Sequence, residues 1–358
     1  MTPDLPSFLD YCIKEGRNFA VCRIPGSDVL RFVSQEKEGP ALIRRIEALN
    51  GESGFVIAPF RVTEACPIVI IRPDREELIP FTTGEDEPPS AADVKRGATE
   101  ADALYASRFN TFMTPIRKKQ FSKLVLSRNT TLARREGFSP AEAFMTACRR
   151  YTRSYVYLFH TVATGCWMGS TPEILLSGEK NEWSTVALAG TQQLRPGGEL
   201  PDTWDDKNLI EQMLVSHYIR RQLGSFGIHA EEEGPYTVRA GHVAHLKTNF
   251  RFALPHAGRL GDLIRLLHPT PAVSGLPKDE ASRFITTNEG YDRKYYSGFA
   301  GWLDPEGRSD LYVNLRCMNI SPNTLTLYAG GGLLPSSVME DEWTETEDKL
   351  QTMLSVIL

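Results

Sequence analysis

The chain has 358 residues, 41% of them hydrophobic and 24% charged, with a formal net charge of −5. That is enough for one large domain or two smaller ones around a substantial core, and the acidic balance excludes a general nucleic-acid binder, which would be basic. Six cysteines without CxxC or metal spacing, no charged-then-apolar leader in MTPDLPSFLDYC and no apolar run near the ~20 residues of a membrane helix lead us to expect reduced thiols in a cytoplasmic chain with no membrane partner.

Residues 1–80 mix short helical and strand patterns; SGFVIAPF (53–60) and CPIVIIRPD (66–74) read as buried strands. Residues 84–100 are polar with a Pro pair and read as a mobile surface connection. Residues 99–118 look helical and lead into FSKLVLSRN (121–129), whose alternation predicts a strand. There Lys123 falls between Phe121 and Val125. Two readings stand: an edge-strand lysine that discourages aggregation, or a lysine in a partly apolar pocket that sheds its proton and acts as a base.

Strands then dominate. SYVYLFHTV and CWMGSTPEILLSG predict a hairpin joined near Thr164-Gly165, with Glu173 at a strand end as either a raised-pKa acid or a satisfied structural residue. STVALAGTQ is a strand, 205–223 a helix, and GHVAHLKTNFRFAL a strand. On the helix, Glu211 lies beside Leu214, Val215 and Tyr218, so its carboxylate needs a partner, either Lys207 one turn earlier or a metal. His242 and His245 fall on opposite strand faces, and no zinc site is expected.

RSDLYVNLRCMNI and NTLTLYAGGGLL predict a hairpin turning at Ser321-Pro322-Asn323. Arg316 then sits in mid-strand, suited to a bidentate carboxylate contact or to a structural ion pair. The Gly330-Gly331-Gly332 run ends the second strand and serves either a tight turn or backbone contact with an anion. A last helix from about Ser337 places Glu342, Glu345 and Lys349 on one face, and Trp343, Leu350, Leu354 and Ile357 on another. The polar face is either solvated or supplies oxygen ligands for a hard cation beside an anion-binding ammonium. Strand runs with helices between them predict an α+β fold of large, mostly antiparallel sheets.

Together these segments resemble the chorismate-utilising enzymes and are most similar to the isochorismate synthases. The resemblance rests on KLVLSR (123–128), MGSTPEILL (168–176), ALAGT (187–191), DKNLIEQMLV (206–215), HLKTNF (245–250), LHPTPAVSGLP (267–277), YYSGFAGWLD (295–304), LYVNLR (311–316), LYAGGGLLPSS (327–337) and EWTETEDKLQTML (342–354). It implies the two-layered sandwich of the anthranilate synthase component I type, with outer helices. Residues 1–98 would be a divergent part of that fold and 99–358 its chorismate-binding catalytic region.

It also implies chorismate as substrate and Mg²⁺ as the required ion. Lys123 would be the general base and Glu173 the general acid. Glu211 and Glu345 would hold Mg²⁺, with Glu342 contributing directly or through water. Ala189, Gly190, Thr191, Arg316, Gly330 and Lys349 would bind substrate carboxylates, and His245 would line the pocket.

Among family members, the ammonia-using enzymes carry Gln where this chain has Lys123, so water as nucleophile and no glutaminase partner are implied. Ala189 stands where aminodeoxychorismate synthases carry a lysine. The expectation is a monomeric isochorismate synthase, for menaquinone rather than siderophore biosynthesis. A salicylate synthase that goes on to eliminate pyruvate is the alternative, and a non-catalytic carboxylate-binding relative the remote one. One departure is Gly331, where the family commonly has Ala.

Overall fold

In a computed structural model of the protein, residues 4–84, 102–254 and 257–357 are described. The connection read at 84–100 lies outside these residues except at Gly84.

The N-terminal stretch runs α1 (Leu5–Lys14), β1 (Asn18–Arg23), β2 (Val29–Gln35), β3 (Ala41–Ile43), β4 (Gly54–Ala58), β5 (Ile68–Ile71) and β6 (Arg75–Pro80). Next come α2 (Ala103–Arg117), β7 (Lys123–Ala133), α3 (Pro140–Arg150), β8 (Tyr155–Thr161), β9 (Gly165–Thr171), β10 (Ile174–Glu179) and β11 (Glu182–Gln193). Then follow α4 (Asp206–Ser225), β12 (Glu231–Ala240), β13 (Val243–Phe252), α5 (Leu260–Leu267), β14 (Gly275–Leu276) and α6 (Lys278–Asn288). The chain closes with β15 (Phe299–Leu303), β16 (Arg308–Val313), β17 (Cys317–Ile320), β18 (Thr324–Leu333) and α7 (Met339–Ile357).

Among the described residues, two nine-stranded sheets result, ordered β14-β7-β18-β17-β9-β8-β1-β2-β6 and β12-β13-β11-β10-β16-β15-β4-β5-β3. Neighbouring strands are antiparallel throughout.

Both faces of the central strands are covered, which is why they read as continuous apolar runs. Along β8, Tyr155, Tyr157 and Phe159 join an aromatic layer between the sheets, while Val156 and Leu158 pack under helices. On β4, Phe55 and Ile57 face the same inter-sheet layer, and Val56 and Ala58 face outward. Residues of α1, α3 and α7 cover the first sheet, those of α4 and α5 the second, and those of α2 and α6 close the end beside β7. The expected α+β sandwich is the observed fold.

Three local expectations change. CWMGSTPEILLSG is not one strand: β9 belongs to the first sheet and β10 to the second, with Pro172 and Glu173 at the crossing. RSDLYVNLRCMNI likewise divides at Asn314–Arg316, so the hairpin at 321–323 joins only β17 and β18. Alternation cannot show a change of sheet, because side chains continue to point up and down through it. The glycine run is no turn either; Gly330, Gly331 and Gly332 lie within β18, opposite Ser127, Leu126 and Val125.

Candidate active site

The two crossings bond to each other. Val313 N donates to Glu173 O at 2.9 Å and Ser170 N to Arg316 O at 3.0 Å. There the backbone leaves its ladders, and both side chains end at a cavity between the sheets. Arg316 adopts φ +45°, a left-handed conformation rare outside glycine, so it does not sit in mid-strand as alternation suggests. Glu173, Ala189, Gly190, Thr191, Glu211, His245, Arg316, Gly330 and Lys349 line this cavity, together with Val125, Val273, Tyr296 and Tyr328, which sequence reasoning did not single out. Its free space is about 50 Å³, so a ring-sized ligand enters only as side chains withdraw.

Glu173 is buried, and Thr270 Oγ1 donates to its Oε1 at 3.2 Å. Burial pushes its carboxyl up to about 7, against the Thr270 hydrogen bond and the positive charges of Lys123, Arg316 and Lys349. Thr270 falls within a stretch that carried the resemblance, but nothing local to the sequence links it to residue 173.

Lys123 opens β7 and is fully buried, which removes the exposed edge-strand reading. Its Nζ lies 2.8 Å from Glu211 Oε1, in ion-pair contact without hydrogen-bond alignment. Lys123 is therefore Glu211's partner, not Lys207. Lys207 instead reaches Glu342 Oε1 at 2.6 Å, and Ser337 Oγ donates to the same oxygen at 2.6 Å. Counting i, i+4 along one helix finds only same-helix partners; the actual pairing joins α4 to α7.

The backbone around Ala189–Thr191 is shaped by a register shift between β11 and β13, with Gly190 at φ +73°. Asp205 caps α4 by accepting from Asn208 N at 2.8 Å, and Asn208 Oδ1 accepts from Thr191 N at 2.8 Å. His245 Nδ1 contacts Gly190 O at 2.7 Å, and Arg316 Nη2 lies 2.8 Å from His245 Nε2. Burial first, then Arg316 and Lys349, lower the imidazole to about 3. The ring is thus neutral; Nδ1–H donates to the carbonyl, and Nε2 accepts from Arg316 and orients the guanidinium.

Lys349 donates to Gly330 O at 2.9 Å and to Glu345 Oε1 at 2.5 Å. The expected trio of acids does not line one space: Glu211 faces the inter-sheet cavity, while Glu342 and Glu345 line a neighbouring cavity of about 260 Å³. Among the described residues, no three carboxylate, imidazole or thiol groups form a ready metal cage.

Glu342 and Glu345 nonetheless fit a hard dication. Both supply oxygen. Glu342 Oε2 is buried without a hydrogen-bond partner, and a Cβ at Gly331 would lie 2.8 Å from it and 3.3 Å from Glu345 Oε1. Burial and then Glu345 raise the Glu342 carboxyl; burial would raise Glu345 too, but Lys349 and Lys207 outweigh it and hold that group low. Next door, a Cβ at Gly332 would overlap Glu211 Oε1 and lie 2.7 Å from Lys123 Cε. Gly331 and Gly332 therefore allow the close approach of carboxylates and lysine to β18.

Behind the cavity, a buried ion pair ties the site's walls together. Arg293 Nε bonds Glu289 Oε2 at 2.5 Å, Nη1 bonds Val273 O at 2.7 Å and Nη2 bonds Val125 O at 2.9 Å. Glu289 Oε1 accepts from Ser127 N and Oγ, each at 2.7 Å. Strand β7 is thereby held to the turn that carries Thr270.

Comparison with known proteins shows what the chain and its fold are similar to. Residues 69–358 match the family model described as chorismate binding enzyme. The chain is 34% identical over 270 residues to the salicylate biosynthesis isochorismate synthase of Pseudomonas aeruginosa, covering 70% of this chain and 53% of that one. It is 35% identical over 256 residues to the isochorismate synthase MenF of Escherichia coli K12, covering 67% and 58%, and 30% identical over 247 residues to that organism's isochorismate synthase EntC, covering 66% and 62%. The matched region is thus less than two thirds of each relative's length. In fold, the structure of MenF from Escherichia coli matches with a TM-score of 0.80 at 21% identity, over 100% of this chain and 92% of that one. A putative DhbC from Bacillus anthracis matches with a TM-score of 0.79 at 23% identity, over 98% and 99%.

Proposed function

The chain belongs to the chorismate-binding enzymes, and from that premise we propose that it is a Mg²⁺-dependent isochorismate synthase, an isomerase that moves the ring hydroxyl of chorismate. The observation that carries this reading is a buried carboxyl raised to about 7 at Glu173 on the wall of the inter-sheet cavity, with the buried amine of Lys123 standing behind Glu211, which lines that cavity while Lys123 itself does not.

Chorismate carries two carboxylates, which Arg316 and Lys349 offset, with Gly190 and Thr191 supplying backbone contacts. Lys123 as free amine takes a proton from the water that attacks C2. Glu173 gives its proton to the C4 hydroxyl, which departs as water while the ring double bonds shift. One water enters and one leaves, so product and substrate are isomers. A lysine acts as a base only without its extra proton, so the Lys123–Glu211 pair opens in the working state. Glu211 and Glu345 would hold Mg²⁺, with Glu342 directly or through water, which requires Glu211 to turn from the inter-sheet cavity toward the neighbouring one. The ion would supply positive charge to offset the ring carboxylate and draw electron density toward C1.

Incubation with chorismate and Mg²⁺ followed by product separation tests the reading. Isochorismate alone is expected. Salicylate with pyruvate, anthranilate formed only with ammonia, or unchanged chorismate would each overturn it. We assign the product to menaquinone biosynthesis in a cytoplasmic monomer acting without a glutaminase subunit. Restored menaquinone in a strain lacking its own menaquinone-route isochorismate synthase supports that assignment.

A further inference from the structure

Three carboxylates and three ammonium groups surround Gly330–Gly332, paired one to one. Lys123 meets Glu211 at 2.8 Å, Lys207 meets Glu342 at 2.6 Å and Lys349 meets Glu345 at 2.5 Å. The cluster is balanced as it stands. A dication joining these carboxylates adds two positive charges in a place where salt and water screen poorly. With Lys123 acting as a free amine, as its role as base requires, one positive charge is gone, and a second has to move away to admit the dication.

The geometry singles out which ammonium moves. The Lys123 side chain is 0% exposed, and that of Lys349, 12% exposed, is also anchored on the Gly330 carbonyl. The Lys207 side chain is the most exposed of the three at 21%. It faces the outer cavity of about 260 Å³, whose walls also carry Asp205, Asp341 and Asp348. Lys207 thus has both room to turn and other carboxylates to turn toward. It does not line the inter-sheet cavity, so ligand binding there gives it no task. Glu342 offers one oxygen to Lys207 and leaves the other without a hydrogen bond.

We propose that Lys207 is a resident counter-cation of the metal cradle: it neutralises Glu342 in the metal-free protein, and a divalent cation arriving through the acidic outer cavity takes over that carboxylate as Lys207 swings outward. This rests on the Mg²⁺ reading above. Lys207 then lowers metal affinity while keeping the empty cradle from repelling itself.

Calorimetric titration of MgCl₂ into the full chain, without chorismate, tests this for wild type and Lys207→Met. The variant is expected to bind Mg²⁺ about tenfold tighter or more, since a nearby like charge is gone. It should melt below wild type without metal and lose that deficit at saturating Mg²⁺. Lys207→Gln, which still donates to Glu342 but carries no charge, should also bind more tightly than wild type. Equal or weaker Mg²⁺ binding by both variants overturns the proposal, because Lys207 would then be a fixed support of Glu342. A wild type that binds no Mg²⁺ removes the metal reading and this proposal with it.

Discussion

Glu173 shows how one side chain's surroundings set a measurable pH response. Burial lifts its carboxyl from 4.5 to about 7, so the folded protein holds a proton that the unfolded chain releases. The stability this contributes is complete below pH 4.5 and is lost as pH rises through about 7. Glu173→Gln should flatten that decline in urea-melt stability measured across the same range. The proton is also the one delivered to the leaving hydroxyl, so kcat/KM should fall about tenfold per pH unit above the pKa of Glu173, and Glu173→Gln should lose most turnover together with that limb. Lys123→Gln should abolish hydration of chorismate, by about 10²-fold or more, while Mg²⁺-dependent substrate binding persists in equilibrium dialysis; unchanged turnover would remove the base assignment. At this scale the sequence was informative wherever a residue's own pattern was odd, as with a lysine between Phe121 and Val125. It was silent on Thr270 and the tautomer of His245, and it offered Lys207 to Glu211 instead of Glu342, because these roles come from partners distant in the chain.

Elements of secondary structure were legible where periodicity carried over many residues. Helix α4 was expected at 205–223 and runs Asp206–Ser225; α7 was expected from about Ser337 and begins at Met339. Strand β12, with its run of exposed residues, gave no such signal. The glycines of β18 were visible as a run, but their purpose was not, because it depends on what α4 and α7 press against them. Gly332→Ala should push Glu211 and Lys123 apart and remove activity while leaving the far-ultraviolet circular dichroism unchanged. The Glu289–Arg293 pair, at 1% and 2% side-chain exposure, predicts the opposite balance. Arg293→Met strands a buried carboxylate and should cost about 3–5 kcal/mol in denaturant unfolding, whereas replacing both partners with apolar residues should cost less.

At the scale of the whole molecule, sheet order was beyond sequence reasoning, since it is set by which strands meet across the chain. β1 pairs with β8, and β4 with β15, so strands from the first 84 residues complete both sheets. We propose that residues 1–98 serve as an integral part of the catalytic fold. A fragment of residues 99–358 would expose β8 and β15 as long apolar edges and should aggregate in size-exclusion chromatography, with no cooperative melt. A soluble, cooperatively folding fragment would show the two parts to be separable.

The paired crossings at Glu173 and Arg316 have a bearing on how such a protein can change over generations. Residues inside a ladder answer to neighbours on both strands, but those at the switch from one sheet to the other answer to side chains that reach in from elsewhere, Glu173 to Thr270, Asn314 to Tyr157 and Arg316 to His245, and to whatever occupies the gap. New ligand preferences can therefore accumulate at 172–173 and 314–316 while the two ladders stay under separate constraints.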